Sequence, residues 1–235
     1  MPPASRTPAS NALQPGTSCF PNLPEYLSKP PAKLGDLRFR NLLPAPDWDK
    51  LPKAIRRRFS KRLADGATVV YAGEVLETWM SRTGWLLAQA QRLIGAPLPI
   101  DRSVHVPSVV SVTEDMKTGG QIWTRLYARR DDFPQVVHSS KRFAGPTGLE
   151  EYVGFGVAMS LTLHVIDEAL VFRSEHYFLE LFGRRLRLPA WLSPGQMSVT
   201  HAELPEGRFS FTLKLAHARL GLLIRQIAVF REVVS

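Results

Sequence analysis

Six histidines, His105, His138, His164, His176, His201 and His217, are the obvious candidates for chemistry, and they are scattered along the chain. No H-x-x-x-H or C-x-x-C spacing occurs, so nothing local assembles a metal centre. Ser139 and Ser140 follow His138, but neighbouring strand residues point to opposite faces and no G-x-S-x-G turn is present. The single cysteine, Cys19, lies in a proline-rich N-terminal stretch. Glu150 and Glu151 are adjacent, and only one of them can face inward from a strand. Without an identifiable second carboxylate, the pair reads as the exposed start of a strand. No catalytic set, no metal ligands and no cofactor are expected.

Strand parity singles out a different kind of residue. In Phe209-Ser-Phe-Thr-Leu-Lys-Leu215, Phe209, Phe211, Leu213 and Leu215 share one face, and His217 continues it. His176 and Glu180 are in phase with Phe172, Phe178 and Phe182, and Arg125 with Trp123 and Tyr127. If these faces are internal, the polar residues enter an apolar space, where an unpaired charge is very costly. They must then pair with one another or meet the polar head of a ligand. Arg184, Arg185 and Arg187, followed by Trp191 and Leu192, combine charge with apolar surface in a proline loop. That suits a pocket rim or a membrane-interface loop. The competing reading throughout is that strands bend and release these residues to solvent.

The elements that would position them are mostly strands. Nine are expected: Ala67–Met80, Val104–Glu114, Gln121–Arg129, Gln135–Phe143, Tyr152–Ile166, Ala169–Phe182, Met197–Leu204, Arg208–His217 and Leu222–Val233. The fifth is long, and Gly154 and Gly156 mark a bulge or sharp bend within it. Lys117-Thr-Gly-Gly120, Gly145-Pro-Thr-Gly148 and Pro205-Glu-Gly207 are turns. A first helix should run from Asp47 to about Leu63, with Leu51, Ile55, Phe59 and Leu63 as its apolar stripe and Asp65-Gly66 as its end. Ser81 should cap a second helix ending at Gly95. Its apolar residues cover most of its circumference, as expected for a helix held inside a curved sheet.

The chain has 235 residues and a net charge of +9. The segment 47–65 contributes +4 of this and Gly183–Leu188 a further +3, so charge is concentrated in patches that suit an anionic partner or surface. No apolar run approaches the roughly 20 residues that span a bilayer. One cysteine fits a reducing cytoplasm. Ten of the 19 prolines fall in residues 1–46, and residues 1–35 are expected to be a disordered tail before a single domain at 36–235. No helix-turn-helix, zinc-finger or RNP-like pattern points to specific nucleic-acid recognition.

Several blocks carry a family resemblance: Ile122-Trp-Thr-Arg-Leu-Tyr127, Gly148-Leu-Glu-Glu-Tyr-Val-Gly154, Ala169-Leu-Val-Phe-Arg-Ser174, Leu186–Gly195, and Phe209–His217 with Gly221 and Gln226. They resemble a bacterial domain-of-unknown-function family found alone or C-terminal to saccharopine-dehydrogenase-like NAD(P)-binding proteins. The resemblance spans roughly residues 40–232 and implies a standalone copy, because no Gly-rich dinucleotide fingerprint lies upstream. It implies no reaction. Arg173 and Gln226, which lie in these blocks, complete the ligand-binding candidates with Arg125, His176, Glu180 and His217.

The fold expected is α+β: a strongly curved antiparallel sheet or partly closed barrel of about nine strands enclosing one helix, with a second, amphipathic helix. The leading functional expectation is non-catalytic binding of an apolar or lipid-like small molecule, with peripheral membrane contact. The alternatives are an accessory module for a dehydrogenase-like protein partner, and an enzyme acting on a hydrophobic substrate through His176, Glu180 or His217.

Overall fold

The structure is a computed structural model that describes residues 35–64, 67–95 and 97–233. The expected tail, Cys19 and the Asp65-Gly66 helix end lie outside these residues, apart from Gly35.

Eleven strands form one antiparallel sheet: β1 (Thr68–Met80), β2 (Val106–Asp115), β3 (Gly120–Tyr127), β4 (Gln135–Arg142), β5 (Glu150–Gly154), β6 (Val157–Ile166), β7 (Ala169–Leu181), β8 (Arg184–Arg187), β9 (Gln196–Glu203), β10 (Arg208–His217) and β11 (Gly221–Glu232). Their order is β6-β5-β4-β3-β2-β1-β11-β10-β9-β7-β8, and β6 also pairs with β7. That extra pairing closes ten strands into a barrel and leaves β8 outside it. Closure removes the exposed sheet edges that would otherwise pair with other chains. Bulges at Val75/Glu77 and Leu215/Ala216 bend the long strands sharply enough to close.

Two strands beyond the expected nine have a local cause. Phe155 and Gly156 both have positive φ, 49° and 76°, the backbone of a two-residue hairpin turn whose twist matches its flanking strands. The expected long strand at Tyr152–Ile166 is therefore the β5–β6 hairpin rather than one bent strand. Phe182 and Gly183 repeat the device, at 49° and 72°, and create β8.

The first helix is interrupted. It is α1 (Ala45–Lys50) followed by α2 (Lys53–Phe59), with Leu51 extended at ψ 140° between them. A proline disfavours helical backbone in the residue before it, so Pro52 starts α2 instead of sitting within one helix. The apolar stripe survives the break: Leu51, Ile55, Phe59 and Leu63 are all buried. They close the barrel end where β1 begins, with Phe39 edge-on to Phe59 and Phe172 at 5.2 and 6.2 Å and Phe59 tilted against Phe172 at 5.7 Å.

The second helix, α3 (Arg82–Ala90), begins as expected: Ser81 Oγ accepts a hydrogen bond from the Gly84 amide at 2.9 Å. A 3-10 turn over Gln91–Ile94 follows, and Gly95 closes it in the left-handed conformation. The expectation that this helix lies inside the sheet is wrong. Only Gly84 and Ala88 of α3 are buried, while Trp85 and Leu86 are exposed. Gly84 packs so tightly on β11 that a Cβ there would sit 2.1 Å from the Leu223 carbonyl oxygen. The helix lies over one barrel end, and the interior is left to the strands.

Candidate functional site

The two barrel ends differ. At the α1–α2 end the interior is nearly filled, with about 20 Å³ free among Arg58, Phe59, Tyr71, His201 and Phe209. Arg58 bonds Glu203 at 2.7 and 3.2 Å, lies 3.0 Å from His201 Nε2, and stacks 4.0 Å over the Phe209 ring. This residue of the basic 47–65 segment is thus a plug. Burial, with the Arg58 guanidinium second, pushes His201 down to about 3.

That shift fixes a pH dependence. Native His201 stays neutral, whereas in the unfolded chain an imidazole takes up its proton near pH 6.5. The unfolded state therefore binds more protons as the pH falls, and stability is lost from about 6.5 downwards at up to about 1.4 kcal/mol per pH unit. Urea unfolding between pH 7 and 5 should show this slope, and the His201→Gln protein should lose most of it. An unchanged slope in the variant would assign the acid sensitivity elsewhere.

From mid-barrel towards α3, the barrel holds a cavity of about 400 Å³. Val110, Val153, Met159, Met197, Val199, Phe211, Leu213, Leu215 and Phe230 supply its apolar wall, and Leu87 and Ile94 its ceiling. On one side the wall is not a continuous ladder. β7 pairs with β9 over Leu170–Arg173 and with β8 over Phe178–Leu181. Between these stretches the chain 188–195 crosses the gap, tied by Leu188 N to Tyr177 O and by Met197 N to Ser174 Oγ, both at 2.9 Å. Leu188, Leu192, Ser193 and Pro194 line the cavity there, and Leu192 is also half exposed. Leu192 thus stands between the cavity and the surface.

Three charged residues line this cavity: Arg125 on β3, Lys141 on β4 and Glu151 on β5. Lys141 and Glu151 are register partners. Lys141 Nζ lies 2.9 Å and Arg125 Nη2 3.3 Å from the same oxygen, Glu151 Oε1. Arg125 Nη2 also donates to Ser139 Oγ at 3.2 Å, and the lysine ammonium sits 4.8 Å from the Trp123 ring centre. Burial alone would raise the Glu151 carboxyl, but Lys141, Arg125 and Ser139 outweigh it and hold the group at about 2. Burial lowers the Lys141 ammonium, with Glu151 opposing.

The parity argument holds for Arg125, which lines the cavity with Trp123 and Tyr127; Gln226, a candidate from the resemblance, also lines it and hydrogen-bonds Thr78 at 3.3 Å. It fails for His176 and Glu180. The β6–β7 register shifts between Ser160 and Leu161, which leaves Glu175 unpaired, and this bulge reverses the phase after Phe172. His176 reaches Ser160 Oγ at 3.2 Å, and Glu180 accepts from the Tyr152 hydroxyl at 2.6 Å, both outside the cavity. Arg173 alternates with the cavity-lining Phe172 and does not line the cavity. His217 ends β10 and accepts the Arg219 amide at 3.2 Å, so the turn captures it. Of the expected rim residues, Leu192 lines the cavity. Arg184, Arg187 and Trp191 are exposed and do not line it, while Arg185 turns back to bond Glu150 at 2.7 Å.

Lys141 and Glu151 are the site residues that sequence reasoning missed. Glu151 shares a parity with Val153, and Lys141 with Val137, but only the β4–β5 register shows that they face each other. Among the described residues no cluster of His, Cys, Asp and Glu could hold a metal ion, and no helix is long and apolar enough to cross a membrane. No curated protein matches the chain. The family model described as "Domain of unknown function (DUF4166)" matches residues 51–230, from the link between α1 and α2 to the last residues of β11, so the chain belongs to that family.

Proposed function

We propose that the protein binds an apolar or lipid-like small molecule in the barrel cavity without transforming it. The observation that carries this reading is the cavity itself. Its volume of about 400 Å³ falls in the range of small-molecule sites, roughly 300–1,000 Å³, which are typically apolar with a few convergent polar groups. The mainly apolar wall favours a chain or ring system, and the irregular crossing at 188–195 gives it a way in.

The test is a titration of the full chain with a neutral, polarity-sensitive naphthylamine dye. The expected result is saturable enhancement of its fluorescence at one dye per chain, reversed by an added long-chain amphiphile. A linear, non-saturating signal would remove the reading.

A further inference from the structure

We propose that the molecule taken into the cavity is a long-chain amphiphile with one negative charge, a carboxylate in the simplest case, whose head lies beside Arg125 and Lys141. This rests on the cavity being a binding site. Two cations and one anion line the cavity, and both cations use the same oxygen of Glu151. The group keeps one unbalanced positive charge on the cavity wall, and such a charge removed from water is costly. Arg125 bonds Ser139 and Glu151 through Nη2 only, among the described residues. A planar guanidinium with free donors suits a carboxylate.

Position agrees with charge. Lys141 lies near the end of β4 remote from the α3 end, and Glu151 near the matching start of β5. Lys141 and Glu151 therefore set the floor, Arg125 reaches down to Glu151 from its place opposite Val137, and the apolar wall of Leu213, Leu215 and Met197 lies between the floor and the ceiling. A head-down amphiphile fills both at once.

The test is competition against the bound neutral dye by hexadecanoate, hexadecanol and hexadecyltrimethylammonium, each below its micelle concentration. Hexadecanoate should displace the dye at a concentration about 10-fold lower than hexadecanol, the scale of one charge-assisted hydrogen bond, and the cation should be weakest. Arg125→Gln should narrow the acid–alcohol difference. Equal potency of acid and alcohol in the unaltered protein, or preference for the cation, would overturn the proposal and leave the cavity reading standing. Failure of the dye to bind would remove both.

A second inference rests on the exposed surface of the α3 end. We infer that the α3 end docks on an anionic lipid surface. Phe182 is 95%, Leu93 82%, Phe155 78% and Trp191 78% exposed. These residues come from separate turns held at one end: Glu180 N donates to Gly156 O at 2.8 Å, and Gly154 abuts the Ile94 carbonyl. Arg92, Arg184, Arg187 and Arg219 are exposed at the same end, and none pairs with a carboxylate among the described residues. Asp131 and Asp132 lie in the β3–β4 loop, the latter paired with Arg129 at 2.6 Å. Apolar anchors among unpaired arginines match the interface of a bilayer carrying acidic headgroups.

Flotation of the full chain with vesicles tests it. Binding is expected to phosphatidylcholine vesicles containing phosphatidylglycerol and not to phosphatidylcholine alone. Added salt should weaken it, and the Leu93→Ser/Phe182→Ser protein should lose it. Equal binding to both vesicle types, none to either, or light scattering showing a dimer that the double variant dissociates would overturn the inference.

Discussion

Glu151→Ala should destabilise the protein by roughly 3–5 kcal/mol, the usual cost of removing one partner from a buried ion pair. Lys141 and Glu151 are almost inaccessible, with side-chain exposures of 7% and 5%. The substitution removes the carboxylate that both Lys141 and Arg125 contact. Two cations then remain against the cavity wall with Ser139 Oγ the one remaining oxygen bonded to Arg125. The change also adds a void, but the electrostatic loss dominates. A Lys141→Met/Glu151→Leu double variant removes the buried pair and keeps the volume, leaving Arg125 as the one cation at the wall, so it should recover part of the stability. Urea denaturation of the three proteins decides this. A loss under about 1 kcal/mol for the single variant would mean that the triad is hydrated, as in surface pairs.

Filling the cavity should have the opposite pattern, with little effect on stability and a large one on binding. Val199 and Leu213 are cross-strand partners on β9 and β10, and both line the cavity. Val199→Phe with Leu213→Trp places aromatic volume in the empty space without touching the Arg125–Lys141–Glu151 floor. Stability should hold or rise by about 0.5–2 kcal/mol, as for other cavity-filling changes. Dye affinity should fall at least about 10-fold, since the occupant loses most of its apolar contact area. Retention of full affinity in a folded double variant would place the dye outside the barrel.

Much of the barrel was legible in the chain because each strand with one buried face must alternate. β10 announces itself through Phe209, Phe211, Leu213 and Leu215, and all four face the interior. What was not legible depends on pairing. The Phe155-Gly156 turn looks like a bend until the two halves are seen to pair as β5 and β6. The residue left unpaired at Glu175 is invisible in the sequence, yet it turns His176 and Glu180 outward. α3 was misplaced because its apolar circumference resembles that of a core helix, whereas Trp85 and Leu86 are exposed and only Leu87 of α3 reaches the cavity. The site was half legible for the same reason. Arg125 follows from the parity of one strand, but its partners Lys141 and Glu151 come from two others whose register no local pattern encodes.

The most direct measurement is native mass spectrometry of the full chain, isolated without detergent and exposed to a total lipid extract, with organic extraction of whatever is retained. The expected result is a one-to-one complex whose extracted component is a long-chain acid. The bare polypeptide mass after that exposure would contradict the claim that the barrel is a binding cavity.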